Sequence, residues 1–166
     1  MLRGYGFWTD KTKDRYWDPR AKRWVYPETG VPDMKISVPS TTPSVWPMAY
    51  IEAKTGTTNL PFKNWKPEQR DWYYKFADRG LLYWLHITMG HRIGGKKYPR
   101  RAILVPAEMF LSWEIESPRL SLSYDQATNS KYCLEWIPGH GFSIPTGHLF
   151  YSTFCSPSQG GLQNAS

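Results

Sequence analysis

The sequence predicts an α/β sandwich, a mixed sheet flanked by helices. Three observations predict it. Short β-type runs alternate with two stretches of helical character. One dense apolar run, residues 81–89, has the composition of a buried strand. No repeat or shift in composition divides the 166 residues, a length that suits one domain around one core.

Taken in order, residues 15–26 read as a hairpin in which two aromatic strands flank a turn opened by Asp18-Pro19. Residues 1–29 as a whole are polar, aromatic and turn-rich, and are expected to form an arm, either flexible or gripping a partner. Residues 30–38 alternate as a short strand, with Met34, Ile36 and Val38 on one face and Asp33, Lys35 and Ser37 on the other. A Pro/Ser/Thr linker spans 39–47. Residues 48–54 form a second strand in which Glu52 and Lys54 share a face, because strand side chains repeat every two residues. Residues 56–66 read as a loop. Residues 67–80 read as a helix, with Pro67 suited to its first turn, Gly80 to its C-cap, and Trp72, Tyr73 and Phe76 as an apolar stripe. The buried strand at 81–89 is followed by a basic, Gly-containing turn at 90–98 and a partner strand at 101–105. Pro106-Ala107-Glu108 opens a second helix that runs through Trp113. From Ser117 the chain is less regular; its clearest strands are 131–137 and 148–155. Residues 30–155 are expected to form the domain, and 156–166 a flexible tail.

Composition narrows the partners. Lys and Arg total 21 against 14 Asp and Glu, a net charge of +7, and the pI is near 9.4. A basic surface favours a polyanion such as nucleic acid. Aromatic residues make up 16% of the chain, with nine Trp; they fill the core or stack on unpaired bases. No apolar run approaches the roughly 20 residues of a membrane helix. The first five residues lack the apolar stretch of a signal peptide, so a cytoplasmic protein is expected. Cys133 and Cys155 form no metal or redox motif and read as reduced, buried thiols. His86, His91, His140 and His148 lack zinc-ligand spacing. His86 reads as a satisfied core residue and Gly139-His140-Gly141 as a turn. No phosphate-cradling Gly loop is present.

Three polar residues stand where strands favour apolar ones. Asp33 follows Pro32 at the start of one strand, and Glu52 and Lys54 end the next. If the strands are neighbours, two carboxylates and an ammonium meet at one end of the sheet. Carboxylates in a confined site repel unless a cation joins them. Mg²⁺ suits such oxygen ligands; it would polarise a phosphodiester and lower the pKa of an attacking water. Lys54 would orient that water or offset charge on the phosphate. Arg92, Lys96, Lys97, Arg100 and Arg101 in the basic segment 91–101 that joins the strands at 81–89 and 101–105, with Lys63 and Lys66 in the loop after the second strand, are candidate contacts to a DNA backbone.

Pro32-Asp33 followed by Glu52-Ala53-Lys54, 19 positions after Asp33, resembles the PD-(D/E)xK nuclease signature. Gln69, near the start of the next helix, resembles the subset that includes Holliday-junction resolvases and replication-repair nucleases. The resemblance covers residues 30–115. It implies a restriction-endonuclease-like fold and metal-dependent hydrolysis of DNA. It implies Asp33, Glu52 and the Ala53 carbonyl as ligands of Mg²⁺ (with Mn²⁺ as a substitute), and Lys54 as the catalytic lysine. Gln69 would touch the metal-bound water, Lys54 or the scissile phosphate. Many members add a Glu from an N-terminal helix; here the nearest candidate, Glu28, lies in a turn-like segment. The expected function is a structure-selective DNA endonuclease of phage or mobile-element type, acting on branched DNA and able to work as a homodimer. The alternative is a catalytically silent nucleic-acid-binding or virion-structural protein on the same fold.

Overall fold

The computed structural model describes residues 8–11, 16–25, 30–37, 48–77, 82–90, 92–93, 95–145 and 147–150. Among them the elements are β1 (Trp8–Lys11), β2 (Tyr16–Asp18), β3 (Arg23–Val25), β4 (Met34–Ser37), β5 (Met48–Thr55), β6 (Asn59–Pro61), α1 (Pro67–Ala77), β7 (Leu82–Met89), β8 (Arg92–Ile93), β9 (Lys96–Lys97), β10 (Arg101–Pro106), α2 (Ala107–Glu116), β11 (Ser121–Ser123), α3 (Tyr124–Thr128), β12 (Glu135–Ile137) and β13 (Gly141–Ser143).

The fold is mixed α/β around a mixed sheet. Four strands, β4-β5-β7-β10, carry it, and β1 pairs onto the β4 edge. The β4/β5 and β7/β10 pairs are antiparallel, and the central β5/β7 pair is parallel. A parallel pair needs a crossover, and α1 lies within it. Strand β7 is central, so both of its faces are covered and it reads as continuously apolar. Tyr83, Leu85, Ile87 and Met89 face a core built with Trp65, Tyr73 and Phe110 from the α1 and α2 side. Trp84, from the opposite face of β7, packs with Ile36, Ala49, Ile51 and Leu104 against Leu134, Phe142, Ile144 and Phe150.

Two local signals set the start of α1. Pro67 occupies the first helical position, where its missing N–H costs nothing. Gln69, two residues on, accepts the backbone N–H of Lys66 at 3.0 Å, which is half of a capping box.

Several elements differ from expectation. The strand expected over 30–38 is confined to Met34–Ser37, with Asp33 in a bend just before it; Val38 lies outside the described residues. The loop expected over 56–66 contains β6, which pairs with β11, and a 3-10 turn at Phe62–Asn64. Three-residue strands are too short to show a period. The second helix runs three residues beyond Trp113 to Glu116, and α3 was not anticipated. Its capping box, Ser123 with Gln126, is nevertheless visible in the sequence. The strand expected at 131–137 shrinks to Glu135–Ile137. The one expected at 148–155 is not formed where the structure describes it, because a helical turn begins at Leu149. Residues Trp8–Lys11, expected in the arm, form the edge strand of the sheet. The hairpin is present as β2/β3. Glu28, Cys155 and the tail from 156 fall outside the described residues, while Cys133 is a free, half-buried thiol. Among the described residues, no helix is long and apolar enough to cross a membrane.

Candidate active site at the end of the β4/β5 pair

The site forms where the β4/β5 ladder stops. Its last pair is Met34 with Ile51; Asp33, in the bend just before β4, and Glu52, the next residue of β5, then lie close enough for the Asp33 carboxyl to act on that of Glu52. Met34 and Ile51 pack in the core. The ladder cannot continue normally past this point, because Pro32 has no N–H to donate. Instead the Asp33 carboxylate replaces a strand partner: Ala53 N–H donates to Asp33 Oδ2 at 2.8 Å. In an extended strand the N–H and C=O of one residue point to the same edge. The Ala53 carbonyl therefore also faces Asp33. The backbone of the next even-numbered residues faces β7, as the Gly56 N–H to Thr88 O bond of 2.9 Å shows.

Glu52, Lys54 and Gln69 form a closed hydrogen-bonded group. Lys54 Nζ donates to Glu52 Oε1 at 2.8 Å and to Gln69 Oε1 at 2.7 Å. Gln69 Nε2 donates to the same Glu52 Oε1. Tyr83 Oη reaches the other Glu52 oxygen at 3.4 Å. Glu52 is only 2% exposed. Burial pushes its carboxyl up to about 7, against the opposing pull of Lys54, and the neighbouring Asp33 raises it further. Burial also raises the Tyr83 phenol, followed by the charge of Glu52, so Tyr83 remains a proton donor.

Gly30 ties this end of the sheet to α1. It has φ +92°, and a Cβ there would stand 2.2 Å from the Glu68 carbonyl oxygen and 3.2 Å from Gln69 N. Gly30→Ala should therefore cost at least about 1–2 kcal/mol for the left-handed conformation alone. The backbone clash adds to it. A melting temperature lowered by roughly 3 °C or more is expected for a chain of this size. An unchanged melting temperature would mean that 30–33 does not pack on α1 as described.

The structure thus brings Asp33, Glu52, Ala53, Lys54 and Gln69 together. The expected phosphate contacts are more scattered. Lys63 is exposed and lines a cleft of about 380 Å³ with Pro61, Phe62, Glu114, Leu120 and Ser121, none of which belongs to the carboxylate group. Lys66 is exposed beside Gln69. Arg92, Lys96 and Lys97 lie in the β8/β9 ribbon, with Arg92 opposite Lys97. Arg100 and Arg101 are exposed. This basic segment follows β7 at the sheet end toward which Glu52 and Lys54 lie. It is fastened there by Gly90 N–H to Thr57 O at 2.9 Å and by Tyr124 Oη to Pro99 O at 2.7 Å. His86 departs from the satisfied core residue expected of it. Its Nε2 has no partner among the described residues, and burial lowers its pKa. It sits on the sheet face opposite Glu52, by its register with Ala53. Tyr83 was missed because, within an apolar run, nothing distinguishes a phenol that touches Glu52 from one that only fills space.

The donor set fits a hard divalent cation. Two carboxylates and a backbone carbonyl are all oxygen donors, the kind Mg²⁺ takes. Glu52 is too buried to ionise readily with Lys54 alone beside it. Among the described residues, no group of three or more His, Cys, Asp or Glu side chains meets, so the set is two side chains and one carbonyl. Compared with known protein families and with curated protein sequences, the chain matches none.

Proposed function

We propose that the chain is a metal-dependent DNA endonuclease of restriction-endonuclease-like fold that hydrolyses phosphodiester bonds, with branched DNA as its preferred substrate class. The observation that carries this reading is the convergence of Asp33, Glu52, Lys54 and Gln69 at one end of the β4/β5 pair. The helix α1 that follows the motif, with β7, β10 and α2 after it, supports the same reading.

Asp33, Glu52 and the Ala53 carbonyl would hold Mg²⁺ or Mn²⁺, and the cation when bound supplies Lewis-acid activation of water and phosphate. The chain's own residues do the rest. Lys54 has three N–H donors. Two go to Glu52 and Gln69, and the third has no partner among the described residues, leaving it for the attacking water or a phosphoryl oxygen. Gln69 fixes the direction of that third donor by gripping Lys54 and Glu52 at once. Its own side chain is fixed by the Lys66 N–H. The hydrogen bond from Ala53 N–H holds Asp33 toward the same point. The basic ribbon at the same sheet end would hold the DNA backbone.

The test is cleavage of four-way junction, flap, single-stranded and linear duplex DNA in Mg²⁺, Mn²⁺ or chelator. Cutting is expected with either metal and none in chelator, with the junction cut fastest. A chain that binds these DNAs yet cuts none of them with either metal is the silent binding or virion-structural protein instead.

A further inference from the structure

The β2/β3 hairpin is a feature that the carboxylate site does not use. Its turn is fixed from within: Asp18 Oδ1 accepts Arg20 N–H at 2.9 Å and Ala21 N–H at 3.2 Å. Lys22 completes the turn with φ 49°, a conformation that is unusual for a side-chain-bearing residue. Residues 19–23 are all exposed, and Trp17 keeps 49% of its surface in solvent. Arg20, Lys22 and Arg23 form no ion pair among the described residues. The single acid of the hairpin, Asp18, is engaged by backbone N–H groups. The result is a stiff, cationic finger that holds a large aromatic ring at its surface.

Chain connectivity keeps this finger within reach of the site. The last residue of β1, Lys11, pairs with Met34, next to Asp33. Gly30 packs against the backbone of Glu68 and Gln69. Five chain steps separate Lys11 from Tyr16, and five separate Val25 from Gly30. Each span reaches at most about 18 Å. Both ends of the hairpin are therefore tethered to the sheet end that carries Asp33.

We infer that this hairpin binds unpaired DNA, with Trp17 stacked on a base and Arg20, Lys22 and Arg23 on the adjoining phosphates. Base stacking on an aromatic side chain is tolerant of sequence, and a duplex offers it no free base face. The hairpin therefore selects substrates that have an unpaired segment next to the scissile bond. The inference rests on the nuclease reading only for the word scissile; the binding itself does not.

The experiment measures affinity of the full chain by fluorescence anisotropy in chelator, so that no cutting occurs. A forked duplex with one single-stranded arm is compared with a fully paired duplex of equal length. Trp17→Ala should weaken binding to the fork roughly tenfold or more and leave the paired duplex within about twofold. Trp17→Phe, which keeps a stacking ring, should restore most of the loss. Arg20→Glu with Arg23→Glu, which removes no buried group, should lower the log–log salt slope on the single-stranded arm by about 0.7 for each lost contact. Equal affinity of wild type and Trp17→Ala for the fork would overturn the inference. So would equal losses on fork and duplex, or an unchanged salt slope in the double variant. The two readings fail separately. A wild type that cuts nothing but shows Trp17-dependent fork binding ends the nuclease reading and keeps the hairpin. A wild type that cuts, with Trp17→Ala binding the fork normally, does the reverse.

Discussion

Lys54→Ala should reduce cleavage by ~10²–10³ or more while leaving DNA affinity near the wild-type value. Removing one preorganised donor aimed at developing charge typically costs that much in rate. Lys54 is at most a minor contributor to binding, because its side chain is only 11% exposed and two of its donors are spent on Glu52 and Gln69. Its loss should fall on the chemical step, lowering kcat with little change in KM. Asp33→Asn should also stop cutting, but through weaker metal affinity, so excess Mn²⁺ should partly restore it and should not restore Lys54→Ala. Gel-based cleavage rates, with circular dichroism and DNA affinity matched across the three proteins, check both outcomes. A Lys54→Ala variant that cuts at the wild-type rate would move the active site elsewhere.

The part of the site that was legible in the sequence is the part that obeys strand parity. Glu52 and Lys54 are two residues apart on a strand and must share a face, and Asp33 alternates with the apolar pair Met34 and Ile36. Those local rules carry over because β4 and β5 are adjacent and in register. What was not legible depends on long-range pairing. Strands β6 and β11 lie about 60 residues apart in sequence. Each is three residues long, so neither has a period to detect. The same holds for β1, whose place at the sheet edge follows from pairing with β4 rather than from its own composition. The final segment failed for a related reason. His148 and Phe150 are buried, His148 Nε2 lies 3.2 Å from the Tyr132 carbonyl oxygen, and Phe150 N–H donates to His148 Nδ1. The alternation of buried and exposed residues there is made by a compact turn with Phe150 packed on Trp84, ring centroids 5.0 Å apart. Alternation over three residues does not distinguish that turn from a strand.

Glu52→Gln should abolish cleavage and, in chelator at neutral pH, make the protein more stable than wild type. The sign follows from linkage. Glu52 titrates near 4.5 in an unfolded chain and near 7 in the fold. Between those values the folded state binds a proton that the unfolded state has released. Its contribution to stability is therefore fully present below about 4.5 and is lost as pH rises through 7. At 1.36 kcal/mol per pH unit the whole swing is at most about 3 kcal/mol. The comparison that isolates Glu52 is wild type against the variant. Their melting temperatures should agree near pH 4.5 and diverge toward pH 7.5, by roughly 6–12 °C at the ceiling for a chain of this size. Gln keeps an oxygen that can accept from Lys54, so the hydrogen-bonded group should survive the change. Added Mg²⁺ should then raise the wild-type melting temperature at pH 7.5 and leave the variant unmoved, because binding to the folded state alone stabilises it by mass action. Parallel melting curves across this pH range would show that Glu52 carries no buried charge that needs relief. In that case the reason for placing a cation between Asp33 and Glu52 would be gone.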